Sequence, residues 1–174
     1  MSTLCYSTSP GQFAAGALGL FTISFEMEFG WSRPEIALAI SLFTLTQAFL
    51  NPIMGKMIDA RGAKQILIPT YFLFGLLLAA LPIIVTELWH FYLIFIAIGI
   101  VGGGCSAIPY LKFACAWFDK RRGLAIGITM AGGGLGYTYV APLCRYMIDN
   151  HGWRSGYFTL AAIVVFVGIP LIWL

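Results

Sequence analysis

Charge is missing from this chain over long stretches of nearly constant length. Uncharged runs occupy Met1–Phe25, Ile36–Gly55, Gln65–Thr86, Leu88–Leu111, Gly123–Cys144 and Ser155–Leu174, each 20 to 25 residues long. A helix that crosses the hydrocarbon core of a bilayer needs about 20 apolar residues. The 174 residues are 60% hydrophobic and 10% charged, with mean hydropathy +0.88, whereas a soluble domain carries roughly 25% charged residues. There is too little polar surface to cover a soluble fold, so the lipid bilayer is the expected solvent and partner. The expected fold class is an all-α membrane protein of six transmembrane helices, at about 12–24, 34–57, 64–85, 88–118, 122–148 and 152–174.

The first run is the least complete. Met1–Pro10 is rich in Ser, Thr and Pro and has no basic n-region, so a secretory signal is not expected. The sixth run reaches Leu174 without a polar exit, and both ends read as cut. The loops are short, which predicts antiparallel packing of sequential helices and leaves no room for a soluble domain between them. Ser32 suits an N-cap, Pro34 the first helical turn and Glu35 the positive end of a helix. Asn51-Pro52 predicts a kink near the inner end of helix two.

Basic residues set the orientation. Lys56, Arg61, Lys64, Lys112, Lys120, Arg121 and Arg122 fall on one side, with Asp59 and Asp119. Arg33, Arg145 and Arg154 fall on the other, with Glu26, Glu28, Glu35, Glu87 and Asp149. Seven bases against two acids make the first side net +5, and three against five make the second net −2. The +5 side, with loops 55–64 and 117–122, is expected to be cytoplasmic. Nothing in this pattern calls for nucleic acid. Cys5, Cys105, Cys115 and Cys144 form no C-x-x-C pair; the last three read as small packing residues. His90 and His151 lie beside Trp89 and Trp153, as neighbours in an interfacial aromatic belt. No constellation suggests catalysis, a metal or a cofactor.

Glycine is concentrated in helices four and five. Gly103, Gly123, Gly127, Gly132 and Gly136 are read as helix-packing glycines; Gly123/Gly127 and Gly132/Gly136 are small-x-x-x-small pairs, which let membrane helices approach closely. "GGGLGY" superficially resembles a dinucleotide fingerprint. That fingerprint needs a strand before it and an acid about 20 residues after it, and here the glycines lie mid-span, where a solvated phosphate loop cannot sit.

The inner loop "GKMIDARGAK", Gly55–Lys64, places Asp59 before Arg61, Gly62 and Lys64, with Gly62 free to turn the chain in a left-handed conformation. The stretch resembles the inner-loop pattern G-x-L-x-D-R-x-G-R-R of the major facilitator superfamily. Gly55, Asp59, Gly62 and Lys64 stand in register, and Met57 stands for leucine. Ala60 and Ala63 depart from the pattern, and Arg61 follows the first gap by one place. Trp117, Phe118, Arg121, Arg122, Gly123, Leu124, Ala125 and Gly127 match "WF-x-x-R-R-G-L-A-x-G" of its oxalate/formate antiporter-like and monocarboxylate-carrier-like branch. The resemblance implies a twelve-helix transporter of two six-helix halves. Residues 1–174 would then be the N-terminal half, with the C-terminal six-helix half absent. It further implies a small organic anion such as a monocarboxylate as substrate, moved by alternating access in a plasma membrane or a bacterial inner membrane. In that reading Gly55, Asp59, Arg61, Gly62, Lys64, Arg121 and Arg122 form a conformational inner-loop motif.

Polar residues deep in a span are costly and therefore mark function, and transporters of this architecture hold substrate near the midplane. The cavity candidates are Gln12, Gln47, Asn51, Tyr110, Lys112 and Tyr137. Each has a plainer reading: a helix end for Gln12, interhelical bonding for Gln47 and Asn51, core packing for Tyr110. Tyr137 and Tyr139 point about 200° apart on a helix, so only one can face a cavity. Lys112 stands about 10 Å along a helix from Asp119 and can snorkel to the headgroups or attract an anion. Arg145 reads as an interface anchor. Every Asp and Glu falls in a loop or at a helix end, so a coupled proton would need a titrating group on the absent half or on the substrate. The alternative to a transporter half is a six-helix membrane module, or a truncated gene product, without transport activity of its own.

Overall fold

The computed structural model describes residues 8, 9, 13, 16–106, 110, 111 and 122–173. These residues form helices, with no strand among them. Helix α1 is Gly16–Phe29, α2 Arg33–Arg61, α3 Ala63–Ile84, α4 Leu88–Gly102 and α5 Arg122–His151. The last run is α6 Trp153–Ile163, a π-helical turn Val164–Gly168, and α7 Ile169–Trp173. Five of these stretches are long and apolar enough to cross a membrane: Arg33–Arg61, Ala63–Ile84, Leu88–Cys105, Gly123–His151 and Trp153–Ile172. The described part of α1 has 14 residues; the start of the expected helix 12–24 lies outside the described residues.

Local chemistry explains the ends. At the start of α2 the Ser32 N–H and Oγ–H both donate to Glu35 Oε2, at 2.9 and 2.7 Å, and Pro34 fills the first turn, where its missing N–H is not needed. Between α2 and α3 the chain reverses on Gly62 alone. Its φ of +85° is strained for any residue with a Cβ, and its N–H still closes α2 on the Ile58 carbonyl at 2.9 Å. Gly152, φ +81°, does the same between α5 and α6. The helix continues through Pro52 to Arg61, with the residue expected to kink helix two inside it.

Helix four departs from the expected 88–118. Its α-helix stops at Gly102, passes through a 3₁₀ turn, Gly103–Cys105, and leaves at Ser106 with ψ 176°. Three successive glycines weaken the helix here, at about 1 kcal/mol each relative to alanine. Pro109 also has no N–H to offer the Cys105 carbonyl in a continued helix. Residues 107–109 and 112–121 of the expected helix lie outside the described residues.

The packing order also differs from expectation. Sequential pairs α3/α4 and α5/α6 pack closely, but α1/α2 and α2/α3 touch only slightly. The chief partner of α2 is α4; α3 lies between α4 and α6, and α5 lies between α6 and α1. A one-residue connection fixes where two helices meet at one end, not which faces join. Glycine decides the faces. A Cβ on Gly99 would lie 2.8 Å from the Phe43 carbonyl oxygen and 2.9 Å from Thr46 Cβ, so only glycine lets α2 and α4 approach this closely. Since Gly103 meets Leu50 and Met54 further along, the two helices run parallel. The core is aromatic at the end where α1 closes and α4 and α6 begin, where Phe21, Phe25, Phe91, Phe95, Trp153 and Tyr157 are all buried.

Gly99→Leu should therefore cost on the order of 1–3 kcal/mol or more through overpacking. Gly123→Ala, at a site with nothing within 4 Å, should be neutral or stabilising by up to about 1 kcal/mol. Thermal unfolding of the two variants of the full-length protein, followed by tryptophan fluorescence, compares them. Equal midpoints would refute this account of the seam.

Candidate functional site

The polar candidates on α2 gather beside the break in α4. Gln47 Nε2–H donates to the Gly102 carbonyl at 3.1 Å, one of the carbonyls that a helix end leaves without an N–H partner. This is the interhelical bond weighed for Gln47, and the side chain is half-buried. One turn further along, Asn51 is also half-buried. Its Oδ1 is buried and has no hydrogen-bond partner among the described residues; a Cβ on Gly103 would lie 3.8 Å from it. Ser106 Oγ, just past the 3₁₀ turn, is buried and unpartnered in the same sense.

Tyr110 does not join this group. It is buried, and its hydroxyl lies 2.7 Å from the Tyr71 hydroxyl, which also accepts from Thr8 Oγ1 at 3.4 Å. The core-packing reading holds because α3 brings Tyr71 to meet it, a pairing across 39 residues that periodicity cannot show. Tyr137 is 46% exposed on α5, whereas Tyr139 is half-buried with its ring edge-on to Phe13, centroids 6.4 Å apart. The two tyrosines thus point apart as their spacing requires. Gln12, Lys112 and Arg121 lie outside the described residues, as does the side chain of Arg122.

Around the Gly62 turn, Asp59, Arg61 and Lys64 are all exposed, and Gly55 is half-buried with nothing within 4 Å of its Cβ position. Among the helix-packing glycines, Gly103, Gly132 and Gly136 are buried. Gly123 and Gly127 are exposed with nothing within 4 Å, so no helix among the described residues packs on them. The glycines that do admit close neighbours lie elsewhere: Gly75 against Val165, Gly104 against Thr70, Gly156 against Phe21 and Gly168 against Tyr71.

The end where α1 closes and α6 begins carries a tie that the sequence alone does not reveal. Trp153 Nε1–H donates to Glu28 Oε2, Arg154 Nη2 lies 2.6 Å from Glu28 Oε1, and the Arg154 guanidinium sits 4.6 Å over the Trp153 ring. The tie joins the end of α1 to the start of α6 across 125 residues. The clue was the run of Trp, Arg and Tyr after Gly152, but nothing in the run names its partner. Tyr92 O–H donates to the Glu35 carbonyl at 3.0 Å, drawing α4 to the start of α2. Arg33 pairs with Glu26 at 2.8 Å and Arg145 with Asp149 at 2.9 Å.

The Major Facilitator Superfamily profile matches residues 4–174. The chain belongs to the Major Facilitator Superfamily. With five apolar helices of spanning length, it is an integral multi-pass membrane protein. Curated relatives include "Monocarboxylate transporter 13" of Rattus norvegicus, 27% identical over 152 residues, which are 84% of this chain and 34% of that protein. "Monocarboxylate transporter 9" of the same species is 29% identical over 141 residues, 78% of this chain and 27% of that protein. "MFS-type transporter hasB" of Aspergillus fumigatus is 28% identical over 144 residues, 80% of this chain and 31% of that protein. The chain thus spans about a third of the length of these relatives, and they agree with the monocarboxylate-carrier-like resemblance read from "WFDKRRGLAIG".

The Trp153 and Arg154 hydrogen bonds hold the Glu28 carboxyl below its ordinary pKa of 4.5, in that order of importance. A lowered folded pKa contributes stability that is complete above the unfolded pKa and is lost as pH falls through the folded one. Trp153→Phe leaves that carboxylate without its indole donor and should cost about 1 kcal/mol. Glu28→Gln should flatten the fall in melting temperature below about pH 4.5. A pH series of thermal unfolding tests both, and an unchanged acid limb in Glu28→Gln would show that the tie contributes nothing.

Proposed function

We propose that this chain is the N-terminal six-helix half of a secondary transporter that moves a small organic anion, such as a monocarboxylate, by alternating access. The observation that carries the reading is a difference between two open faces. On α3, α6 and the π-helical turn the exposed residues are bulky and apolar: Phe72, Leu73, Leu76, Ile83, Phe158 and Phe166, a surface suited to lipid tails. On α5 the exposed residues mix Gly123, Gly127, Gly134 and Thr138 with the larger Leu124, Ile128, Leu135 and Tyr137. On α2 Ser41, Thr44 and Ala48 are exposed among larger apolar residues. Small and weakly polar residues suit close contact with another protein surface and a water-accessible cavity, not lipid. The second six-helix half supplies that surface in this reading, and helices α2 and α5 meet it.

Gln47, Asn51 and Tyr137 are the cavity residues within the described part, with Gln12 and Lys112 as further candidates. Loops 55–64 and 117–122 are cytoplasmic in this proposal. There Asp59, Arg61 and Lys64, with Arg121 and Arg122, act on the closing of the inner side. Family membership supports a transporter over an enzyme. A coupled proton would ride on the substrate or on a group outside residues 1–174, since every Asp and Glu falls in a loop or at a helix end.

The native gene product should exceed 19.0 kDa about twofold on an immunoblot against a Gly55–Lys64 peptide. It should also show saturable uptake of small carboxylates in transport-deficient cells. Lys112→Gln should raise KM by roughly ten- to a hundred-fold with little change in kcat, as expected for loss of one charge-assisted contact of about 1.5–3 kcal/mol. A native product of 19.0 kDa without uptake would instead identify a membrane module that does not transport.

A further inference from the structure

We infer that the break in α4 is a binding site for a monovalent alkali cation, held by Asn51 Oδ1, Ser106 Oγ and the backbone carbonyls at the end of α4. This assignment is independent of the transporter reading.

First, the α-helix of α4 stops at Gly102 and passes through the 3₁₀ turn Gly103–Cys105, the last residues of the candidate span Leu88–Cys105. A helix C-terminus carries about half a negative charge on its unpaired carbonyls. In a membrane interior that end needs either donors or a positive charge. Gln47 satisfies one carbonyl, that of Gly102; the Gly103 N–H returns to Gly99 and Val101.

Second, two side-chain oxygens beside this end lack hydrogen-bond partners among the described residues. Asn51 Oδ1 and Ser106 Oγ are both buried, and a buried acceptor left unpaired costs about 1–3 kcal/mol. Asn51 belongs to the helix packed against Gly103, and Ser106 follows the 3₁₀ turn directly. An electropositive occupant would satisfy both oxygens and the helix end together.

Third, the donor set selects the class of cation. Carboxylates are what divalent ions require as hard anionic ligands, and every Asp and Glu falls in a loop or at a helix end, away from Asn51 and Ser106 in the sequence. Neutral amide, hydroxyl and carbonyl oxygens at an unwound helix suit an alkali cation. Gly102, Gly103 and Gly104 are all buried and carry no side chain to cover their backbone. Thr70 and Cys105 close the far side, with Cys105 Sγ donating to Thr70 Oγ1 at 3.1 Å.

Thermal unfolding of the purified full-length protein in detergent tests the assignment. It would be measured in sodium, potassium and choline chloride at matched ionic strength. The melting midpoint should rise saturably with sodium or potassium and not with choline, which is too large for the site. Asn51→Ala and Ser106→Ala should each weaken the apparent cation affinity by about tenfold or more. Thr44→Ala, one face away on α2, should retain it. Identical melting curves in the three salts would overturn the site, leaving water as its occupant, as would an undiminished response in both Asn51→Ala and Ser106→Ala. If either variant fails to fold, the salt series on the parent protein still decides.

Discussion

In a bilayer the hydrophobic effect does not press helices together, because lipid tails are as apolar as leucine side chains. Contact has to come from shape and from backbone polarity, and the seam between α2 and α4 shows both. Gly99 admits the Phe43 backbone, and Gln47 reaches across to a carbonyl that α4 cannot satisfy itself. The other helices arrange around that pair. Because α2 is committed to α4, α3 turns its buried face, Leu67, Tyr71, Phe74 and Leu78, toward the centre and α6. Because α4 ends early, the polar groups on α2 have a backbone terminus to face instead of a smooth helix wall.

Much of the architecture was legible in the sequence because bilayer thickness imposes a length on every span. Five helices long and apolar enough to cross a membrane stand among the described residues, and Ser32, Pro34, Glu35 and Gly62 did what their chemistry requires. What could not be read was which helix faces which. Gly123/Gly127 and Gly99/Gly103 have the same spacing, yet the first pair is open and the second is packed against α2. The residues that distinguish them belong to another helix, so spacing alone gives both the same meaning. Tyr110, weighed between a cavity role and core packing, could not be placed from the sequence for the same reason. An intramembrane hydroxyl looks free until Tyr71, 39 residues away, is brought to it.

The candidate site divides in a similar way. Gln47 and Asn51 were identifiable because an amide within a span needs an explanation, and both stand where helix four is interrupted. The interruption itself was masked by reading the uncharged run 88–111 as one helix: absence of charge marks a span, not its continuity. Glu28 stood in an expected loop and Trp153 and Arg154 at the start of an expected helix, where charged and aromatic residues are common, and their mutual contact depends on the bundle bringing α1 beside α6. That end and the middle of the bundle differ in kind. The end is tied by aromatic rings and a carboxylate, whereas the middle relies on glycine contacts and on hydrogen bonds such as Gln47 to Gly102 and Cys105 to Thr70.

The π-helical turn at Val164–Gly168 has an effect on everything after it. Such a turn holds one residue more than an α-turn, so later side chains are rotated by about 100° from where an unbroken helix would put them. The buried positions record the change: Trp153, Tyr157, Leu160 and Val164 follow intervals of four, three and four, then Gly168 and Ile172 follow at four and four. Val164 and Gly168 thereby both turn inward, and Gly168 comes to lie against the Tyr71 ring without a side chain in the way. The turn acts as a phase shift in the helix, a one-residue offset between two registers. Removing a single residue within it would rotate the whole of α7 to present a different face, although no side chain in α7 had changed.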